Sequence, residues 1–239
     1  MNIAVINGTE KHGVTYQLKE LFLEPFRQTA DITEFYLPKD CPDFCAGCTA
    51  CFMKSETLCK DAEYIRKIEN ALLKADLVVF ASPAYVMHAT GAMKALLDHF
   101  GYRWMPHRPA KEMFGKRAAI LTQCLGAGAK STAEDIKDSL SWWGISKIKM
   151  FTAKLMHGIV WDRLDETKRK KITRSVKKFS EKFAKINYSK PAKTKFFTKI
   201  KFLICRMIQK SIRSTDPESA DCRYWEHNGW FKKERPWKR

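Results

Sequence analysis

The first 160 residues alternate between short apolar runs and segments whose apolar positions recur at helical spacing. The run at 77–81 (LVVFA) is continuously apolar, as in a strand covered on both faces, whereas 31–36 (DITEFY) alternates as a half-buried strand does. Strand and helix patterns follow one another, which predicts a parallel sheet with helices on both faces. The expected strands are 2–6, 31–36, 77–81, 117–123 and 145–153, and the expected helices between them are 15–26, 89–101 and 131–144.

Two further amphipathic helices are predicted after this region. The first repeats apolar residues at alternating spacings of four and three, at 172, 176, 179, 183 and 186. A second stripe follows at Phe196/Phe197, Ile200, Leu203/Ile204, Met207/Ile208 and Ile212. We therefore expect a main domain over 1–163, its last helix over 164–190, and a basic, aromatic-rich helical extension over 191–239.

The positive charge is concentrated in that C-terminal part. Residues 1–163 carry 21 basic against 18 acidic residues, whereas residues 164–239 carry 23 against 8. Our interpretation is that the apolar stripes pack on the core or across a dimer and leave the charges in solvent. Peripheral contact with an anionic membrane is the alternative. No specific nucleic acid is expected, because the charges surround apolar stripes and not a recognition module.

Composition and the first residues bear on the cellular compartment. The chain has 239 residues, 45% of them hydrophobic, and no apolar run approaches the length of a membrane span. The opening MNIAVINGTE lacks the basic and apolar regions of a secretory signal, so a cytoplasmic protein is expected. Structural disulfides are then not expected among the eight cysteines.

Three loops leave the carboxyl ends of strands, where doubly wound sheets bind ligands. The loop 7–15 (NGTEKHGVT) offers glycines, hydroxyls and a helix N-terminus, which together suit a phosphate, although an ordinary capped helix start is equally compatible. In 82–91 (SPAYVMHATG), Pro83 forces an extended backbone that can meet the edge of a flat heterocycle beside Tyr85. The loop 122–132 offers two glycines and is either a binding loop or a plain connection.

These loops, together with the stretch ADLVVFASPAYVMHATGAMKALLDHF, resemble the flavodoxin-like NAD(P)H-dependent FMN reductases over roughly residues 1–160. The resemblance implies a flavodoxin-like, doubly wound five-stranded parallel sheet of strand order 2-1-3-4-5. It also implies noncovalently bound FMN at the C-terminal edge of the sheet, NAD(P)H as electron donor, and a homodimer. By that likeness the phosphate would be held by Thr9, His12, Gly13, Val14 and Thr15. The isoalloxazine would be bordered by Ser82, Pro83, Ala84, Tyr85 and Val86, with Leu125 and Gly126 on the other side.

The loop CPDFCAGCTACFMKSETLCKD at 41–61 carries five cysteines. Cys45, Cys48, Cys51 and Cys59 have a spacing that lets three thiolates converge on one object and a fourth arrive from beyond a loop. This spacing resembles the [4Fe-4S] motif of iron–sulfur flavoproteins, which place the cluster beside FMN. Cluster-free packed thiols and zinc are the alternatives. Cys41 is a possible substitute ligand.

The expected function is an FMN-dependent oxidoreductase that passes electrons from NAD(P)H through flavin to a quinone, a nitro or azo compound, or free flavin. The alternative is an iron–sulfur flavoprotein that relays electrons between protein partners. Because flavin would carry the redox chemistry, no catalytic acid–base residues are expected.

Overall fold

A computed structural model describes residues 1–156 and 160–238 of the chain. Five parallel strands form one sheet in the order β2-β1-β3-β4-β5, which confirms the predicted doubly wound topology. The strands are β1 (Asn2–Asn7), β2 (Asp31–Tyr36), β3 (Leu77–Pro83), β4 (Arg117–Cys124) and β5 (Lys147–Lys154). Every residue of the central β3 is buried, as its continuously apolar run predicted. The edge strand β2 is only partly buried, as its alternating pattern predicted.

The helices lie between and after the strands. They are α1 (Val14–Leu23), α2 (Ala50–Met53), α3 (Ala62–Lys74), α4 (Gly91–His99), α5 (Ala129–Trp142), α6 (Glu166–Ala184), α7 (Phe196–Thr215) and α8 (Ala220–His227). Helix α3 was not among the predicted elements, although Ile65, Ile68 and Leu72 face the core at helical spacing. Helix α6 is capped by the Asp165 side chain, which accepts a hydrogen bond from the Lys168 amide.

Two apolar layers enclose the sheet. On one face α1 and α6 pack together, with the Phe22 ring 5.3 Å from that of Phe183. The other face is covered by α3, α4 and α5 and includes Trp143, which is buried beside Phe80 and Phe100. The α6 stripe therefore belongs to the main core, as its spacing predicted. The two layers hold the carboxyl ends of the five strands along one edge.

The C-terminal residues form a third, aromatic cluster against the main body. Phe202 of α7 lies among Trp225, Trp230 and Trp237, with ring centroids 5.0–5.3 Å away. The face of α7 that this cluster buries carries Thr198, Phe202, Cys205 and Gln209. In the parts of the chain that the structure describes, no helix is long and apolar enough to cross a bilayer.

The second apolar stripe does not pack on the core, so of the two predicted packings only a contact across a dimer stays a prediction. Its bulky side chains point away from the aromatic cluster and are largely exposed: Phe197 is 77% and Met207 71% exposed. The physical reason is that Phe202 fills the aromatic cluster from the opposite side of the helix. The other rings of this cluster come from positions 114, 225, 230 and 237, which lie outside α7. The apolar pattern of α7 alone therefore could not predict this packing.

Candidate functional site

The loop after β1 is tied to the loop after β3. The Gly8 amide donates to the Ala81 carbonyl at 2.7 Å, and the Thr90 hydroxyl donates to the Gly8 carbonyl at 2.6 Å. A Cβ added to Gly8 would lie 2.7 Å from Ser82 Oγ, so only glycine allows this approach. The first two loops are therefore held as one unit at the carboxyl edge of the sheet.

A pocket of about 280 Å³ opens at the N-terminus of α1. Seven of the predicted binding residues line it, from both loops. They are Thr9, His12, Gly13, Val14, Thr15, Pro83 and Tyr85. The sequence analysis missed the remaining lining residues, which are Lys11, Gln17, Gln123, Val160, Trp161 and Asp162. Trp161 and its neighbours come from the segment after β5, which no local motif marked.

The start of α1 has the features of an anion site. Gly13 is the N-cap and contributes no side-chain cap, and a Cβ placed on it would meet nothing within 4 Å in the described chain. The Thr15 hydroxyl is buried, yet it has no hydrogen-bond partner among residues 1–156 and 160–238. An uncapped helix N-terminus beside an unpartnered hydroxyl suits a bound phosphate, which accepts from both. The neighbouring His12 ring stacks on Tyr16 at 4.0 Å.

The second loop continues as a tight turn over the pocket rim. Tyr85 and His88 exchange backbone hydrogen bonds of 2.9 and 3.1 Å, which places Val86 and Met87 in the left-handed region at φ 48° and 74°. Strain of this kind persists only where the surroundings hold it. Here Asp135 does so, because its carboxylate accepts from the Ala89 amide at 3.0 Å and contacts the His88 ring.

The loop at 122–132 contacts the loop at 82–91 through Gly128. This residue has φ +100°, and a Cβ on it would lie 2.7 Å from the Met87 Cα. The nearby Ser131 hydroxyl donates to the Met87 carbonyl. Gly128, which was not among the predicted site residues, is therefore the glycine that allows the second and third loops to touch.

The other predicted residues lie along the same edge without lining the pocket. Ser82 is fully buried beneath Gly8, and Ala84 donates to the Gln123 carbonyl at 2.8 Å. Val86 and Leu125 are exposed, and Gly126 has open space around its Cα. Their solvent-facing positions leave the edge beside Tyr85 open to a planar ring.

The cysteine loop lies next to this edge. Residues Gly47 and Thr49 adopt left-handed conformations, which turn the chain between successive cysteines. The loop docks on α4: the His99 ring lies 3.1 Å from the Asp43 carbonyl, and Phe44 sits 4.0 Å from the Cβ position of Gly91. Gly91 follows Thr90, which binds the Gly8 carbonyl, so the cysteine loop adjoins the first two binding loops.

The four predicted ligand thiols form one electrostatic group. Burial first, and then the neighbouring thiols of Cys45, Cys48 and Cys59, raise the pKa of Cys51. The pKa of Cys59 is likewise raised, by burial first and also by Cys45 and Cys48. The thiols are therefore close enough to influence one another, although among the described residues only Cys59 belongs to a set of donor atoms that lie within 4.8 Å of one another. An iron–sulfur cluster would hold such thiols as thiolates.

A second donor set overlaps the first. Cys59, Asp61 and His99 place one sulfur, one oxygen and one nitrogen within 4.8 Å of one another. Asp61 Oδ2 is buried and has no hydrogen-bond partner within the described ranges. Mixed donors of this kind suit zinc, so the geometry keeps both metal alternatives open.

We expect alkylation to distinguish these cysteines in metal-free protein. Cys45 and Cys48 are exposed, whereas burial and the nearby Asp61 raise the pKa of Cys41 to about 12. Iodoacetamide at pH 8 should therefore modify Cys45 and Cys48 first, and Cys41 only after unfolding, since the thiolate is the nucleophile. Peptide mass spectrometry over time would measure the order. Early modification of Cys41 in folded protein would contradict the structure.

The C-terminal extension holds the cysteine loop through Arg108. This buried side chain donates to Asp221 of α8 at 2.5 Å and to the carbonyl of Cys51. It also lies 3.4 Å from Glu56, which belongs to the same loop. His107 adds a contact of 2.7 Å to Asp221, and its carbonyl accepts from the Trp225 indole. The loop and the extension are therefore joined by one ionic cluster, in which Arg108 is buried and its partners are partly buried.

Comparison with known proteins identifies similar chains. The family described as NADPH-dependent FMN reductase matches residues 1–155. A curated iron–sulfur flavoprotein of Archaeoglobus fulgidus is 21% identical over 145 residues, which cover 60% of this chain and 63% of that protein. One from Clostridioides difficile is 32% identical over 102 residues, which cover 41% of this chain and 45% of that protein. The matched segments thus cover 63% and 45% of the length of these two relatives, less than two thirds in each case.

Solved structures share the fold. An azoreductase from Bacillus anthracis (strain Sterne) superposes with a TM-score of 0.57 at 15% identity and covers 77% of this chain and 98% of its own. An FMN-dependent NADH-azoreductase from Bacillus anthracis (strain Ames Ancestor), solved in complex with FMN, gives a TM-score of 0.56 at 13% identity and covers 77% and 100%. At these identities the likeness concerns the architecture.

Proposed function

The chain belongs to the NADPH-dependent FMN reductase family, and from this premise we propose that it is an FMN-dependent oxidoreductase that passes electrons from NAD(P)H to a small acceptor. The observation that carries the proposal is the buried Thr15 hydroxyl, which has no partner within the described chain and lies at the uncapped start of α1. A buried hydroxyl without a partner is costly, and a phosphate would satisfy it. Quinones, nitro or azo compounds and free flavin are the proposed acceptors.

The residues present fit FMN. The first turn of α1 and Thr15 would hold the phosphate, with Thr9, His12, Gly13 and Val14 around it. The turn from Ser82 to Val86 would border the ring, with Leu125 and Gly126 on the far side. Bound FMN supplies the hydride-transfer chemistry. The chain's own part is to hold the phosphate and to border the ring with the turn at Tyr85.

Purified protein tests this proposal directly. Titration with FMN should give a saturable change in the flavin visible spectrum, and the loaded protein should oxidise NADH or NADPH when an acceptor is present. A protein that fails to bind FMN at micromolar concentration would overturn it.

Replacing Thr15 by valine should weaken FMN binding by about 10- to 100-fold, because a hydrogen bond to a charged group contributes roughly 1.5–3 kcal/mol. The same change should leave the FMN-free protein as stable or slightly more so, since a buried unsatisfied hydroxyl is removed. Fluorescence titration and chemical denaturation measure the two effects. Thr215→Val, at the exposed end of α7, is the matched control. Equal FMN affinity of Thr15→Val and wild type would remove Thr15 from the site.

A second candidate function is electron relay by an iron–sulfur flavoprotein. The sequence spacing of Cys45, Cys48, Cys51 and Cys59 supports it, as do the names of the curated relatives. Protein purified without oxygen should then contain iron and labile sulfide, and Cys48→Ser should lose both. Cys205→Ser, in the aromatic cluster, should retain them. Absence of iron and sulfide would contradict the electron-relay function and leave the flavin reductase as the proposed function. Zinc in their place would favour a site formed by Cys59, Asp61 and His99.

A further inference from the structure

Helix α7 displays an apolar stripe that the rest of the described chain does not cover. Of the 17 large hydrophobic side chains that are exposed in the described residues, seven lie on this one helix. They are Phe196, Phe197, Leu203, Ile204, Met207, Ile208 and Ile212. Single exposed hydrophobic residues are ordinary, but a contiguous row of this size marks a binding surface. We refer to these seven side chains as the α7 stripe.

The helix cannot turn to bury the stripe, because its opposite face is anchored. Phe202 stacks on Trp225 at 5.0 Å, and Gln209 donates to the Pro106 carbonyl at 2.6 Å. Arg206 donates to the Phe231 carbonyl at 2.7 Å. The stripe is therefore a fixed feature of the folded protein, presented along about 24 Å of helix at 1.5 Å per residue.

Uncompensated positive charge borders the stripe. Residues 191–215 contain seven basic residues and no acidic one. On α7 itself, the described ion pairs include only that of Arg213 with Glu226, at 2.9 Å. Lys199, Lys201 and Lys210 form no ion pair within the described chain, and Lys210 is exposed. On a helical wheel Lys199 and Lys210 flank one edge of the stripe. Lys201 lies at the other edge, but its amine donates to Ser141 Oγ at 2.9 Å and lies 4.6 Å from the Trp142 ring centroid.

We propose that α7 docks this protein onto an anionic lipid surface, with the stripe at the boundary between headgroups and acyl chains and the lysines on the headgroups. A cationic helix with a bulky apolar face has the chemistry of an interfacial helix that lies in the membrane plane. Anionic headgroups attract each flanking lysine, whereas the acyl region accepts the aromatic and aliphatic side chains. The proposal does not depend on the flavin site.

The positive charges beside the α7 stripe favour an anionic bilayer over a second copy of the chain and over nucleic acid. A second copy of the chain would bring the same positive border against itself, because a two-fold contact pairs identical patches. Nucleic acid would meet the lysines but would place its phosphates against the apolar side chains at the centre of the surface. An anionic bilayer satisfies the apolar and the charged residues together.

Vesicle flotation with the full chain tests the proposal. Wild-type protein should float with vesicles of phosphatidylcholine and phosphatidylglycerol at 7:3, and should bind pure phosphatidylcholine at least tenfold more weakly. The double variant Ile204→Ser/Met207→Ser changes two exposed positions and should lose at least tenfold in affinity. Lys210→Glu should lose severalfold, whereas the charge-matched Lys178→Glu on α6 should bind as wild type does. Circular dichroism would verify that each variant is folded.

Any of four outcomes would overturn the proposal. The first is equal binding of wild type and the double variant, and the second is no binding to anionic vesicles at all. The third is a wild-type dimer, seen by analytical ultracentrifugation, that becomes monomeric in Ile204→Ser/Met207→Ser while neither protein floats. That result would assign the stripe to contact between copies. DNA association that is lost in Lys210→Glu, without vesicle binding, would assign the surface to nucleic acid.

Discussion

Replacing Arg108 by methionine is expected to lower the free energy of unfolding by about 3 kcal/mol, since removal of one partner from a buried ion cluster leaves the other charges uncompensated. Asp221 would lose its 2.5 Å partner, and the Cys51 carbonyl would lose a charged donor. Methionine keeps most of the apolar volume, so the loss is mainly electrostatic. Denaturant unfolding monitored by tryptophan fluorescence measures the effect.

The same variant should also release the cysteine loop. The cysteine loop of folded, metal-free Arg108→Met should be cut by a protease faster than that of wild type, because Arg108 joins this loop to α8. Arg66→Met is the control, for Arg66 is exposed on α3 and its substitution should change the free energy of unfolding by less than about 0.5 kcal/mol. If Arg108→Met and Arg66→Met unfold at the same denaturant concentration, the ionic cluster does not contribute to the free energy of unfolding.

The substitution Gly128→Ala is expected to cost about 3 kcal/mol in the free energy of unfolding and to weaken FMN binding. The left-handed conformation at φ +100° disfavours a side chain by about 1–2 kcal/mol. The added Cβ would also lie 2.7 Å from the Met87 backbone, and overpacking of this kind costs about 1–3 kcal/mol. Relief of the clash must move the turn at Tyr85, which forms one wall of the pocket.

Gly126→Ala is the matched control, only two residues away. A Cβ at Gly126 meets nothing within 4 Å in the described chain, so its free energy of unfolding should stay within about 0.5 kcal/mol of wild type. Thermal unfolding of both variants provides the comparison, and FMN titration is applied to Gly128→Ala against wild type. Equal stability of the two alanine variants would show that the second and third loops are not in contact through Gly128.

The candidate site was partly predictable because three of its loops follow strands directly. Thr15 and Pro83 lie within a few residues of the strand ends that place them, so the local sequence marks them. Trp161 also lines the pocket, yet it is brought there by the path of the chain after β5. The role of Gly128 depends on the position of the Met87 backbone, 41 residues earlier, and no local motif records such a contact.

By itself the sequence determined the five strands, their order by way of the family resemblance, and the α6 face that enters the core. The strands and the α6 face depend on local periodicity, which holds for any alternating strand–helix chain, whereas the order was implied by the resemblance. Only the tertiary structure decided which face of α7 is buried. Both faces of that helix carry apolar residues, and the choice between them was made by tryptophans that fold back from more than 20 residues away.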